Sequence, residues 1–283
     1  YVTAMLLICA VRQASDSSLS MLSLPVALAC AYSPAASFRP TAAPSRSSVI
    51  AAAAKPELLV YDHCPFCVRV RVALGVLGKD FKLTFMENDD VDTPTSLVGK
   101  KIAPIWVDDD GPMMESLDII AKVDTENKIA PASGRTDLKA WQKSVQTLLR
   151  KLQRPRYVMV PLPEFMKKSG RDAFVANHQM PPYEKSEWKG VADFAIETKY
   201  EKYEEAFGMS DELLPELNEK LKELDDLIYS PEACTEGIGF SYDDVDLWAR
   251  LRSLTIVKGA QIGPKTRAYL DHFEKRAMCR CTT

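Results

Sequence analysis

From residue 57 to residue 123 the apolar positions come in short runs separated by turn residues; beyond residue 137 they recur at every third or fourth position. Glu57 to Tyr61 (ELLVY) is short, apolar and rich in strand formers, the pattern of a buried strand. It runs straight into Asp62-His63-Cys64-Pro65-Phe66-Cys67, and Val68 to Leu77 then continues without a breaker as far as Gly78. This predicts strand, tight turn, helix, with Pro65 in a first-turn position where its missing N–H costs nothing. Phe81 to Met86 alternates like a second strand. Asn88-Asp89-Asp90 and Asp92 to Pro94 predict a polar loop. Ile105 to Val107 is a third strand entered through Ala103-Pro104, and Asp108 to Gly111 a turn. Met113-Met114 forms a brief fourth strand, and Glu115 to Val123 a helix.

A β-α-β, loop, β-β-α order is that of a thioredoxin-like core. The stretch Thr125 to Thr136 holds Pro131, Ser133 and Gly134 and reads as a linker. After it, Leu138, Trp141, Val145, Leu148, Leu149 and Leu152 make an amphipathic helical face, ended by Pro155, Pro161 and Pro163. Phe194 to Phe207, Leu213 to Ile228 and Asp243 to Val257 are further helices, the last opening with acids that suit a helix N-terminus. The expected organisation is therefore a leader over residues 1–54, a thioredoxin-like domain over 55–126, a linker over 127–137 and an all-helical domain over 138–283. The sequence has no internal repeat and no transmembrane helix.

Composition changes this picture in two places. The chain of 283 residues has 36 basic and 39 acidic residues and a net charge of -3, which gives no footing for nucleic acid or an anionic membrane. Its first 54 residues differ from the rest: Asp16 is the only acid before Glu57, Ser and Ala dominate, and Arg39 and Arg46 are isolated. Acid-poor, Ser-rich sequence with scattered Arg is the composition of an organellar transit peptide. The run Met21 to Ala31 followed by Ala36 to Phe38 resembles the bipartite leaders of plastids of secondary origin. An organellar, plastid destination is expected on this reading, a cytoplasmic one if the segment is only a tail.

The seven cysteines are odd in number and irregular in spacing, which argues against a secreted disulfide framework. Cys64 and Cys67 form a CxxC; Cys9, Cys30, Cys234, Cys279 and Cys281 do not. The thiolate is the attacking species, and a helix N-terminus lowers a thiol from about 8.5 into the range ~3.5–7.5. On the strand-turn-helix reading Cys64 sits at that terminus and Cys67 one turn further on. Cys64 is the candidate nucleophile, Cys67 the resolving thiol, and Arg69 and Arg71 add positive charge nearby. The rival reading, half of a zinc site, needs two more ligands, and the CxC of Cys279 and Cys281 is a poor match. No metal is expected.

Two further features carry chemistry by position. A cis-proline at Pro104 would leave the backbone of Ala103 facing the thiol, ready to pair with a cysteine-containing peptide like a neighbouring strand. Glu115-Ser116, opening a helix, suits the ammonium and carboxylate of an amino-acid end; the alternative is a plain helix cap.

The motifs Val60 to Cys67, Asn88 to Asp90 with Thr93-Pro94-Thr95, Leu97 to Lys101 with Pro104-Ile105, and Glu115 to Ile119 closely resemble the bacterial glutaredoxin 2 family. The resemblance is dense from Leu58 to Asp124 and continues more loosely through Arg154 to Tyr157 and Leu247 to Gly259. It implies an α/β thioredoxin-like N-terminal domain followed by an all-α, glutathione-transferase-like C-terminal domain. It implies a glutathione-dependent thiol–disulfide oxidoreductase with Cys64 as nucleophile and Cys67 as second thiol. Ala103 would match the residue pairing with the glutathione cysteine, Pro104 the cis-proline, and Glu115 and Ser116 the pair holding the γ-glutamyl end. Glutathione is then the co-substrate, disulfide or glutathionylated proteins the partners, and a monomer is expected. Phe66 stands where the family commonly has Tyr, and Ala103 where Val is usual; the helical domain diverges around Gln179 to Gly190. The alternatives are a transferase or dehydroascorbate reductase on the same fold, or a non-enzymatic glutaredoxin holding an iron–sulfur cluster through Cys64 and glutathione.

Overall fold

The computed structural model of the protein describes residues 55–183, 188 and 194–281. The leader expected over residues 1–54 lies outside the described residues, as does half of the divergent stretch between Gln179 and Gly190.

The strand-forming run at the start becomes β1 (Glu57–Val60), and the apolar stretch after the cysteines becomes α1 (Pro65–Val76). The chain then forms β2 (Lys82–Phe85), α2 (Asp92–Val98), β3 (Ile105–Asp108), β4 (Gly111–Met114) and α3 (Ser116–Val123). The sheet order is β2-β1-β3-β4. β1 runs parallel to β2, and β3 runs antiparallel to both β1 and β4. Because side chains alternate across a strand, Leu58 and Val60 join a core with α1 and α3, while Leu59 and Tyr61 face Met86, Leu97 and Val98. Both faces are covered, so the strand is apolar without a gap from Leu58 on.

The segment read as a polar loop contains α2. Asp90 Oδ1 accepts the Thr93 N–H at 3.0 Å, Asp92 lies in the first turn, and Gly99 ends the helix at φ 78°. The acids that mark a loop here cap a helix, and Pro94 lies in the first turn, where no N–H is required.

The helical half consists of α4 (Thr136–Met159), a 3-10 turn (Pro163–Phe165), α5 (Lys168–Asn177), α6 (Ile196–Gly208), α7 (Ser210–Leu227), α8 (Tyr242–Leu254) and α9 (Pro264–Ala277). Thr136 and Asp137, the last two residues of the expected linker, open α4. The predicted face Leu138, Trp141, Val145, Leu148 and Leu152 is buried against α7 and α8. α4 does not stop at Pro155, as expected from the sequence, but continues for four more residues. Burial of Pro155, Arg156 and Tyr157 holds the helix together, and Arg156 Nη1 donates to the Leu152 carbonyl at 2.6 Å. α8 opens on a capping box in which Ser241 and the buried Asp244 bond each other's backbone.

What positions the cysteines is the contact of α1 with α8 and α9. Val68 and Val72 of α1 belong to the same buried cluster as Leu247, Leu251 and Phe273. Gly75 is required there, since a Cβ on it would lie 1.8 Å from the Arg276 carbonyl oxygen. The thioredoxin-like half therefore rests on the last two helices, with the start of α1 at the edge of that seam. Among the described residues no helix is long and apolar enough to cross a membrane.

Candidate active site

Cys64 is the N-cap of α1, with extended backbone, and Pro65 follows in the first turn. The helix carries no acid in its first turn, so nothing there opposes negative charge on the sulfur. Cys64 is half-buried, Cys67 is fully buried, and both thiols are free. The two form a polarised pair. The Cys64 thiol is lowered to about 7, first by a hydrogen bond from Cys67, then by the charge of His63 and the N–H groups of Phe66 and Cys67, which together overcome burial. Burial pushes the Cys67 thiol far up, and its sulfur also accepts the Tyr61 N–H at 3.4 Å.

Arg69 and Arg71 play a different part from the one expected. Arg69 pairs with Asp246 and stacks on the Phe66 ring at 4.8 Å. Arg71 turns into the interior, where Asp62 Oδ1 accepts from its Nη1 at 2.7 Å. Each cation is matched by a carboxylate, and the ring whose charge, when protonated, favours the Cys64 thiolate is that of His63. Asp62 also binds Arg252 of α8 through Oδ2 at 2.5 Å and its own carbonyl at 2.6 Å. This buried Arg71–Asp62–Arg252 triad ties the cysteine turn to the tail after α9, because Arg71 donates to the Met278 carbonyl and Arg252 Nε to that of Arg280 at 3.1 Å. Burial alone would raise the Asp62 carboxyl, but the two guanidinium groups hold it below the usual carboxylate range.

The other predicted residues converge on the same end of the sheet. The Ala103–Pro104 peptide is cis. Leu59 pairs with Ile105 and Ile105 with Met114. Extending that register past the strands sets Tyr61 beside Ala103 and Pro104 beside Glu115. The segment preceding Cys64, the Ala103-Pro104 step and the Glu115-Ser116 step are thus neighbours across three strand ends. Glu115 sits at φ 73°, a conformation that side-chain-bearing residues seldom adopt and that costs of order 1–3 kcal/mol. Ser116 is buried at the start of α3, and Lys100 lies 3.8 Å from the Glu115 carboxylate.

A cleft of about 560 Å³ opens beside Cys64, between the two halves. Cys64, Phe66, Lys101 and Ala103 line one wall; Gln146, Arg150, Tyr157 and Asn177 line the other. Cys67, Pro104, Glu115 and Ser116 do not line it: Cys67 lies behind Cys64, and the other three along the sheet end. Lys101 borders this cleft and donates to the Asn88 carbonyl. In the sequence it stands only within the Leu97 to Lys101 motif, which gave it no role. Glu164 left no trace in the sequence: it reaches His63 from 101 residues away. Among the described residues no cluster of three or more His, Cys, Asp or Glu is placed to hold a metal ion.

Comparison with known proteins finds relatives of both halves of the chain. Residues 58–129 match the N-terminal domain of glutathione S-transferases, and residues 195–281 match the C-terminal domain of glutaredoxin 2. The glutaredoxin 2 of Escherichia coli strain K12 is 31% identical over 223 residues, covering 78% of this chain and 94% of that protein. Glutaredoxin 2 from Salmonella typhimurium, solved in complex with glutathione, superposes with a TM-score of 0.68 at 28% identity, over 80% of this chain and 96% of that one. With a thioredoxin-like half that carries the Cys64–Cys67 turn, a helical half behind it and relatives matched over nearly their whole length, the chain belongs to the glutaredoxin 2 family.

Proposed function

We propose that the protein is a glutathione-dependent oxidoreductase that reduces disulfides and glutathione mixed disulfides through Cys64. The observation that carries this reading is the asymmetry of the pair: one thiol lowered to about 7 at the mouth of a cleft, the other buried and held protonated behind it. At neutral pH about half of Cys64 is then thiolate, the attacking form.

The chemistry balances as two-electron exchange. The Cys64 thiolate attacks the glutathionyl sulfur of a mixed disulfide, and the substrate leaves as a thiolate that takes up a proton. Cys64 then carries glutathione. A second glutathione thiolate attacks that disulfide, giving glutathione disulfide and regenerating Cys64. With a protein disulfide, Cys67 loses its proton and attacks Cys64, expelling the substrate thiol and closing Cys64–Cys67, which two glutathione molecules reopen. The buried Cys67, in hydrogen-bond contact with Cys64, favours this two-thiol route over a transferase relying on one cysteine.

Glutathione would lie along the sheet end at the edge of the cleft, with its cysteine paired to the backbone of Ala103 beside cis-Pro104. Its γ-glutamyl end would take the N–H groups and hydroxyl at Ser116 and the carboxylate of Glu115. The test is glutathione-coupled reduction of a mixed disulfide by wild type, Cys64→Ser and Cys67→Ser. Loss of activity in the first variant with retention in the second is expected. An inactive wild type, or an active Cys64→Ser, overturns the reading.

A further inference from the structure

Glu164 sits in the helical half, on the 3-10 turn Pro163–Phe165, and is completely buried. Its Oε1 accepts two hydrogen bonds from one residue of the other half: the His63 backbone N–H at 2.9 Å and the His63 Nδ1–H at 2.6 Å. Its Oε2 is buried without a hydrogen-bond partner. The turn carrying it is fixed, because the Asn88 N–H donates to its carbonyl at 3.1 Å and α5 crosses at Gly170, where a Cβ would lie 2.5 Å from that same oxygen. The His63 ring is walled by Tyr157, Phe165 and Phe174 at 5.0–5.1 Å between centroids. A carboxylate taken out of water keeps its charge only opposite a cation, and the group hydrogen-bonded to it is the imidazole next to Cys64.

We propose that Glu164 is a positioning residue for the nucleophile: it holds His63 as an imidazolium whose charge stabilises the Cys64 thiolate, so the helical half sets the reactivity of a thiol on the other half. The inference rests on Cys64 being the reactive thiol. After the hydrogen bond from Cys67, the charge of His63 is the next influence favouring the thiolate. Arg69 and Arg71 are engaged by Asp246 and Asp62. Tyr61 and Tyr157, the phenols beside the site, are kept neutral by burial. The other charged or titratable groups on the cleft are Lys101, Arg150, Arg154, His178 and Arg250. Glu164 itself is negative, so its direct field opposes a thiolate, and it acts in favour of one only through His63. That opposition of signs separates a charge role from a merely structural one.

The test is the pH dependence of iodoacetamide alkylation of Cys64 in the full-length Cys67→Ser protein, with the modified peptide identified by mass mapping. Glu164→Gln keeps the shape and an acceptor for the backbone N–H but removes the charge. It is expected to raise the midpoint by about one pH unit and so slow alkylation roughly tenfold below the midpoint. His63→Asn is expected to raise it similarly. In the His63→Asn background, Glu164→Gln should lower the midpoint, since only the repulsion by the carboxylate is then removed. A midpoint unmoved by Glu164→Gln, or moved in the same direction with and without His63, overturns the proposal. If Glu164→Gln does not fold, an unmoved midpoint in His63→Asn overturns it alone, and a raised one supports it. Alkylation reads the thiol without turnover, so failure of the oxidoreductase reading, shown by an active Cys64→Ser, is distinguishable from failure here.

Discussion

Two cysteine pairs lie in this molecule at opposite ends of helices. Cys64 and Cys67 open α1; Cys279 and Cys281 follow the last residue of α9. The first pair contains a thiol lowered to about 7. In the second, burial pushes Cys279 up to about 11 and, together with the Glu274 carboxylate, Cys281 up to about 12. Residue type is the same throughout, and both pairs sit near buried charge. The difference lies in what each sulfur faces: free N–H groups, a donating thiol and an imidazole at a helix start, against a desolvated pocket beyond a helix end, where the backbone dipole is unfavourable to an anion. The pairs differ in spacing as well as placement: at the N-cap the CxxC spacing adds the Cys67 hydrogen bond that does most to lower Cys64.

The two regions are also physically joined, through the Arg71–Asp62–Arg252 triad and the carbonyls of Met278 and Arg280. Asp62→Ala breaks that joint and leaves two buried guanidinium groups without a carboxylate. Loss of a partner from a buried pair costs about 3–5 kcal/mol, and denaturant unfolding should show a drop of that order. The triad also fixes an acid limit. The Asp62 carboxyl is lowered in the folded state, so its contribution is complete above the unfolded value of about 3.9 and is lost as pH falls through the folded value. Wild type should therefore lose stability more steeply below about pH 4 than Asp62→Ala.

Alkylation at pH 7 compares the pairs directly. Between thiols at about 7 and about 11 the thiolate fraction falls roughly 5,000-fold, and the greater nucleophilicity of the more basic thiolate returns about 40- to 100-fold. Cys64 should react on the order of a hundred times faster than Cys279, measured peptide by peptide. Comparable rates would mean that position at the N-cap confers nothing. A smaller effect is expected for Gly75→Ala. It forces α1 away from the Arg276 carbonyl on α9 and should cost about 1–3 kcal/mol, as overpacking does, read as a lowered thermal midpoint. The mildest expectation concerns pH. Turnover limited by attack of Cys64 should rise with pH through about 7 and then level off, since the thiolate fraction is only half at the midpoint.

The first of these regions was legible in the sequence and the second half of the account was not, for a physical reason. Strand, turn and helix around Cys64 are encoded between Glu57 and Gly78, by an apolar run, a proline at the first turn and a glycine after the last. The Ala103-Pro104 and Glu115-Ser116 steps are likewise local. The partners that tune the turn come from far along the chain: Glu164 is 101 residues from His63, and Arg252 is 190 from Asp62. No periodicity or spacing reports such pairs; the partner of Arg69, Asp246, lies 177 residues away, whereas Asp62, the partner of Arg71, lies only nine residues away and the pairing could have been read. Pro155 misled in the same way, since tertiary burial carried α4 past it. α9 was a different omission: Pro264 at its first turn and Tyr269, Leu270, Phe273 and Ala277 at helical spacing were available to be read.

The central claim is that Cys64, and neither thiol of the tail, takes part in disulfide exchange. The most direct measurement is to treat the Cys67→Ser protein with glutathione disulfide at neutral pH and locate the glutathione adduct by peptide mass mapping. The account predicts a single adduct on Cys64, removed by added glutathione. An adduct on Cys279 or Cys281 instead, or none on Cys64, would contradict it.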